Sequence, residues 1–152
     1  MRDLHIIAVG KNTDNNSLSM EAEYLKRIKL KLSIHETKAH DENRELEAKD
    51  VLKKIIALEK KIAAKVILLT EKGTVYDSQN FSNFLFKEIE NNQSPLILVI
   101  GGASGHGQLL YDRADAELSL SKLTFPHRMA RVILVEQIYR AECIKHKHPY
   151  HK

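Results

Sequence analysis

The segment Pro95-Leu96-Ile97-Leu98-Val99-Ile100 sets the tightest limit on what this chain can fold into. Five consecutive branched aliphatic residues leave a strand no face to turn toward water, so both faces must be covered. Strands of that kind sit in the middle of parallel sheets with helices on either side. The run leads directly into Gly101-Gly102-Ala103-Ser104-Gly105-His106-Gly107, four glycines in seven residues. There the backbone can approach a ligand closely and offer its N–H and C=O groups without side-chain obstruction. An ordinary tight turn has the same composition.

The rest of the chain alternates in the same sense. Leu4 to Val9 reads as a strand ending at Gly10. Met20, Tyr24, Ile28 and Leu32 recur as on one helix face, and Ser33 to Thr37 forms a weak second strand. Asp41 to about Ile62 reads as a long amphipathic helix carrying Leu46, Val51, Leu52, Ile55, Ile56 and Leu58, with acidic residues near its start as the macrodipole favours. Val66-Ile67-Leu68-Leu69 is a second fully buried strand, and Gly73 marks a turn. Ser78 caps a helix with Phe81, Phe84, Leu85 and Ile89 on its buried face. After the glycine turn come a short helix near Gln108 to Arg113, a strand near Ala116 to Leu120, and a last helix that Pro126 opens and that ends near Lys145. These alternations predict a single α/β domain over 1–152: a mostly parallel sheet with helices on both faces and the Pro95 to Ile100 strand in the centre. No repeat, low-complexity tract or linker interrupts it.

A chain of 152 residues with 43% hydrophobic and 29% charged residues can build its own core without disulfides or a structural metal. The single cysteine, Cys143, fits a buried helical face. No apolar run is long enough for export or for a bilayer-spanning helix, so a cytoplasmic location without membrane attachment is expected. The formal charge of +4 is unevenly spread. From Lys122 to Lys152 there are seven Lys or Arg against two Glu, a local +5, with four of the eight histidines in the same stretch. Such an excess favours a polyanionic partner through counterion release; a solvated basic helix face accounts for it equally well.

Two candidate ligand loops follow carboxyl ends of strands, where open parallel sheets bind their ligands: Leu69-Thr70-Glu71-Lys72-Gly73 and the glycine turn. The order Gly102-x-x-Gly105-x-Gly107 reverses the dinucleotide spacing, and no Gly-Lys-Ser/Thr follows, so a phosphate cradle is excluded. A neutral or cationic ligand fits better than a triphosphate. The stretch Leu118 to His127 mixes apolar residues with hydroxyls at a helix start, suited to surrounding an aromatic base or to plain capping. In the tail His146-Lys147-His148-Pro149-Tyr150-His151-Lys152, the histidines lack the carboxylate or thiolate company of a metal site. Contact with RNA, by stacking of Tyr150 and the histidines and by lysine–phosphate pairing, stands level with a frayed terminus of no function.

Four stretches together resemble a known family. They are Leu98-Val99-Ile100-Gly101-Gly102; Leu118 to His127; Arg131-Val132-x-Leu134-x-Glu136-Gln137-x-Tyr139-Arg140-Ala141; and His148-Pro149-Tyr150-His151-Lys152. In order and spacing they are similar to the ribosomal RNA large subunit methyltransferase H family of SPOUT methyltransferases, over nearly the whole chain. Ala103-Ser104 departs from the frequent Gly-Gly-Pro-Glu-Gly turn, and Leu69-Thr70-Glu71 from a Leu-Asp version; both changes leave backbone roles intact. The resemblance implies a C-terminal trefoil knot, a rare exception to unthreaded connections, and a homodimer with pockets near its interface. It also implies methylation by S-adenosylmethionine of N3 of a pseudouridine in 23S ribosomal RNA, on the assembled ribosome. Leu69, Gly101 and the run Leu120, Ser121, Lys122, Leu123, Thr124 and Phe125 fall on the family's cofactor-binding positions. From the tail's composition together with this match, Tyr150 and His151 are assigned to contact the base. Arg128, Arg140 and Lys152 are assigned to hold RNA, and Glu136 to a structural ion pair. A ribosome-binding module without catalysis is the alternative, and no metal is required.

Overall fold

The computed structural model describes residues 3–59, 61–90 and 93–152. Its elements run β1 (Leu4–Val9), α1 (Asn15–Leu25), β2 (Leu32–Thr37), α2 (Arg44–Leu58), β3 (Lys65–Val75), α3 (Ser78–Glu90), β4 (Leu96–Ile100), α4 (Gln108–Arg113), β5 (Ala116–Ser119) and α5 (His127–Lys145). The five strands pair in the order β2-β1-β4-β3-β5, and every pairing is parallel. β4 is the middle strand, as its unbroken apolar run requires, and all five of its residues are buried.

Alternation along the central strands feeds two cores. Leu4, Ile6, Ala8, Leu96, Leu98 and Ile100 point to one face, where α3 and α5 close over them with Leu85, Ile89, Leu134 and Ile138. Ile7, Val9, Val66, Leu68, Ile97 and Val99 point to the other, covered by Val51 and Ile55 of α2 and Leu110 of α4. Each strand therefore loses water on both sides, which is what made its sequence uniformly apolar. Cys143 is buried on α5 as its spacing suggests. No described helix is long and apolar enough to cross a membrane.

Several local expectations shift. α1 stops at Leu25, so Ile28 and Leu32 reach the core from a turn and from β2, while Met20 is 56% exposed. The helix expected from Asp41 begins at Arg44, because Asp41 and Glu42 take left-handed φ of 46° and 65° and the Asn43 side chain accepts the Leu46 N–H at 3.2 Å. Leu46 and Ile56 of that helix stay exposed. Gly73 is no turn: it lies inside β3. Ser78 is the first residue of α3, and the capping bond comes from Asp77, whose carboxylate accepts the Asn80 N–H at 2.7 Å.

Buried polar bonds fix α5 over the sheet. Arg131, 7% exposed, donates to both Glu21 oxygens at 2.7 and 3.0 Å and to Glu36 at 2.7 Å, tying α5 to α1 and β2. It does not pair with Glu136. Burial opposes the charge on Glu36, but the Asn12 N–H and Arg131 outweigh it and hold its carboxyl below the usual range. Near the other end, Glu142 accepts the N–H groups of Lys29 and Leu30, both at 2.8 Å, and the Ser82 hydroxyl donates to the Ala141 carbonyl at 2.7 Å.

Arg131→Ala leaves the buried Glu21 carboxylate uncompensated, so a loss of about 3–5 kcal/mol in urea unfolding is expected; a loss below about 1 kcal/mol would remove the ion network from this account. Stability also falls on acidification. His35 sits below its ordinary pKa of 6.5, chiefly through burial and then through Lys54 and His5, and His106 is lowered by burial as well. Near pH 6 the folded state therefore binds fewer protons than the unfolded chain. The stabilisation is complete above about pH 6.5 and is lost as pH drops below it. Thermal unfolding midpoints measured against pH should show this fall, and His35→Gln should reduce its slope.

Candidate active site

The start of the β3 bulge, the carboxyl ends of β4 and β5 and the first turn of α5 surround a cavity of about 590 Å³. Its position follows from the rule for open parallel sheets, and its shape from two backbone irregularities. In β3 the register against β5 slips: Leu69 and Thr74 both lie opposite Leu118, so residues 70–73 bulge out of the ladder. Gly73 permits this, because a Cβ there would lie 2.6–2.7 Å from the backbone of Glu117 and Leu118. The glycine turn after β4 folds back on itself through a Gly102–Gly105 bridge, with the Gly105 N–H donating to the Gly102 carbonyl at 3.0 Å and Gly105 at φ 85°. Past β5, the Ser119 hydroxyl reaches the Ser121 carbonyl at 2.9 Å, and the Ser121 hydroxyl accepts the Leu123 N–H at 3.0 Å. These bonds curl the segment into the cavity wall.

Leu69, Gly101, Leu120, Ser121, Leu123, Thr124 and Phe125 all border this space. Lys122 does not; it is exposed between two residues that do. Sequence reasoning singled out none of Glu71, His106, Tyr111 and His127, which also line it. On sequence, Glu71 is only part of a strand-end loop and His106 only a member of the glycine turn. The imidazole of His106 is 5% exposed and shares a 2.9 Å hydrogen bond with the Leu69 carbonyl. Burial lowers its pKa, against weaker opposing effects of that bond and of Glu117 and Glu71. Among the described residues the lining holds one carboxylate, Glu71, and no Lys or Arg. It is built for a neutral or cationic guest and lacks the cations a polyphosphate needs.

The tail is docked away from this cavity. After α5, Lys147 takes φ 56° and the His148 N–H returns to the Cys143 carbonyl at 2.8 Å, a Schellman-type reversal that turns the chain back along the helix. Tyr150 then lies on α5. Its hydroxyl donates to Glu136 at 2.9 Å, its ring centroid is 4.8 Å from that of Tyr139, and the Arg140 guanidinium carbon stands 4.8 Å from its ring. Burial, then Tyr24 and Glu136, push the Tyr150 phenol well above its ordinary pKa, so it carries its proton at neutral pH. Arg140 donates to Glu136 at 2.6 and 3.0 Å and meets His151 Nδ1 at 3.1 Å. Glu136 thus has the structural ion pair expected of it, with Arg140 as the partner. The tail histidines do not converge: His151 faces Arg140, His146 meets the edge of Phe86, and His148 Nδ1 accepts the Tyr150 N–H. Of the basic segment, Lys122, Arg128, Lys147 and Lys152 are exposed and held by no ion pair among the described residues, whereas Arg131, Arg140 and Lys145 are paired.

The fold recurs in solved structures. A probable methylase family protein from Haemophilus influenzae Rd KW20 superposes with TM-score 0.58 at 11% identity, over 99% of this chain and 71% of that one. A probable methyltransferase from Bordetella pertussis Tohama I gives TM-score 0.57 at 10% identity, over 92% and 94%. The family model described as "Predicted SPOUT methyltransferase" matches residues 2–151. Proteins named ribosomal RNA large subunit methyltransferase H are similar end to end: 35% identity for that of Nitratidesulfovibrio vulgaris and 37% for that of Carboxydothermus hydrogenoformans, each over 99% of both chains. The relative from Rhizobium johnstonii is 46% identical over 87 residues, 57% of this chain and 54% of its own. The chain belongs to the SPOUT methyltransferases, in the ribosomal RNA large subunit methyltransferase H family.

Because β5 backbone occupies the space beside Gly73, Gly73→Ala must push the bulge away from β5 at Glu117 and Leu118. A loss of about 1–3 kcal/mol is expected from such overpacking, read as a lower unfolding midpoint. An unchanged midpoint would show that the bulge yields freely.

Proposed function

We propose that this protein is an S-adenosylmethionine-dependent methyltransferase that methylates N3 of a pseudouridine in 23S ribosomal RNA, on the assembled ribosome in the cytoplasm. The observation that carries the reading is the cavity at the strand ends: backbone-rich, apolar at Leu120, Leu123 and Phe125, with Glu71 as its one fixed charge. Such a lining suits an adenosyl group bearing a cationic sulfonium, and it occurs in a chain whose full-length relatives carry the ribosomal RNA methyltransferase name. Leu69, Gly101, Leu120, Ser121, Leu123, Thr124 and Phe125 would hold the cofactor. Lys122, exposed beside them, would face RNA or cofactor from the rim. When bound, the sulfonium supplies an already activated methyl group. What the chain must add is alignment of the accepting nitrogen and removal of its proton.

Arg128, on the first turn of α5 beside the cavity, and Lys152 at the end of the tail are exposed cations suited to phosphate contact. The role assigned to Arg140 is narrower: its guanidinium is committed to Glu136 and His151, so it would orient the tail as much as touch RNA. Tyr150 and His151 remain the proposed base-contacting pair. With the Tyr150 proton held on the phenol, Tyr150 would donate or stack, and His151, whose Nδ1 accepts from the donor-only Arg140 guanidinium, would turn its Nε2 N–H toward the base. Both lie at the level of Glu136 to Arg140, roughly 14–20 Å along α5 from His127 at 1.5 Å per residue. A tail that serves a cavity would therefore serve a partner's. This supports the homodimer, as do the exposed apolar side chains of Met20, Leu123 and Met129 on α1, the cavity rim and the start of α5. The knot belongs to the same reading. It is supported by the path of α5, which leaves the edge strand β5 and packs back against α1 and α3 across the sheet.

Transfer of labelled methyl groups to intact ribosomes, free large subunits and naked RNA, followed by mapping of the nucleoside, tests the proposal. Labelled N3-methylpseudouridine from ribosomes is the expected product, and absence of cofactor binding at millimolar concentration would sink it. Deleting 148–152 should abolish transfer while leaving cofactor affinity within about threefold, since the tail does not border its own chain's cavity. Transfer that survives the deletion would remove Tyr150 and His151 from the mechanism.

A further inference from the structure

Resting on the S-adenosylmethionine reading of the cavity, we infer that His106 is a positioning residue of the cofactor site: its neutral imidazole clamps the Leu69 carbonyl to the glycine turn, and acidification releases the clamp. His106 touches both ligand loops at once. Its Nε2 lies 2.9 Å from the carbonyl of Leu69, the last residue of β3 before the bulge. A carbonyl only accepts, so Nε2 carries the proton and Nδ1 is bare in the neutral ring. The opposite side of the ring rests on Gly101: a Cβ at that position would stand 3.1 Å from Cε1 and 3.2 Å from Nδ1. Tyr111 of α4 packs edge-on at 5.9 Å between ring centroids and fixes the ring's plane. The spacing between Leu69 and Gly101, two residues of the proposed cofactor set, is therefore set by the width of one imidazole.

A second proton would go to Nδ1, which has no hydrogen-bond partner among the described residues and is buried against Gly101. The new N–H would lack an acceptor, and the charge would be desolvated. The groups facing the ring are Glu71 on the β3 bulge, Glu117 on β5 and Tyr111 on α4. Glu47 lies beside Gly102, and Arg44 acts on Tyr111, both from α2. Glu71 and Glu117 favour the charged ring, and burial outweighs them. Acid therefore trades the clamp for a ring that leaves its slot, and the two loops lose their fixed spacing.

Titration calorimetry of the intact protein with S-adenosylmethionine between about pH 5.5 and 7.5 tests this, with unfolding midpoints recorded alongside. Wild-type affinity should fall toward acid. His106→Gln keeps an N–H donor for the Leu69 carbonyl but cannot titrate, so it should hold the neutral-pH affinity within about threefold and flatten the profile. His106→Leu fills the slot without a donor and should bind about tenfold more weakly at pH 7.5, again without slope. If both variants keep the wild-type profile, or if His127→Gln flattens it instead, His106 is not the positioning group. If the wild-type protein binds no S-adenosylmethionine at any pH, the functional reading itself fails and takes this inference with it.

Discussion

Everything at the site depends on where α5 lies, and Arg131 decides that. A guanidinium at 7% exposure is tolerable only when its charge is answered, and Glu21 and Glu36 answer it from two other elements. Apolar packing on Leu134 and Ile138 would allow the helix to slide or roll by small amounts, since the hydrophobic effect has no direction. Fixed donors and acceptors allow neither. Held at Arg131 and again at Glu142, α5 presents Pro126, His127 and Ala130 to the cavity at one end and docks the tail at the other.

The sheet supplies the second half of the site by failing at the right place. A regular parallel ladder between β3 and β5 would run straight past Leu69 and leave no room. The bulge of residues 70–73 carries Thr70 and Glu71 outward, and β5 resumes its pairing at Thr74. One glycine makes this possible, because only a residue without a Cβ fits against the Leu118 backbone. The same economy operates in the glycine turn, where His106 fills the space that a side chain on Gly101 would need.

The central place of β4, the apolar faces that build both cores and the short helix α4 were legible because each is written as hydrophobic period, and period is a local property. The β3 bulge was not legible. Gly73 looked like the end of a strand, and nothing local distinguishes a turn glycine from one demanded by a neighbouring strand 44 residues later. Helix ends were misjudged for a related reason: Asp41 and Glu42 favour a helix start by charge, yet the chain uses them in left-handed turns before the Asn43 cap. His106 escaped notice because its role lies in its contact with Leu69, 37 residues away. Motif order identified most of the cavity wall, and chain topology alone could add the rest.

The charge count needed the largest revision. Seven cations in the last 31 residues suggested a basic surface, but Arg131, Arg140 and Lys145 spend theirs on Glu21, Glu36, Glu136 and Glu90. What remains toward solvent is sparser and better placed: Lys122 and Arg128 beside the cavity, Lys147 and Lys152 on the tail. The cavity itself has the opposite character, with no lysine or arginine among the described residues that line it. A cation inside would repel a sulfonium, and in a desolvated pocket that repulsion would be far stronger than in water. Cations at the rim, screened by solvent, can still draw in an anionic polymer without raising the energy of a cationic guest a few ångströms deeper. Within one chain the two requirements conflict. Separating them by depth, with the neutral glycine turn and a neutral His106 inside and the lysines and Arg128 outside, lets the same face accept both.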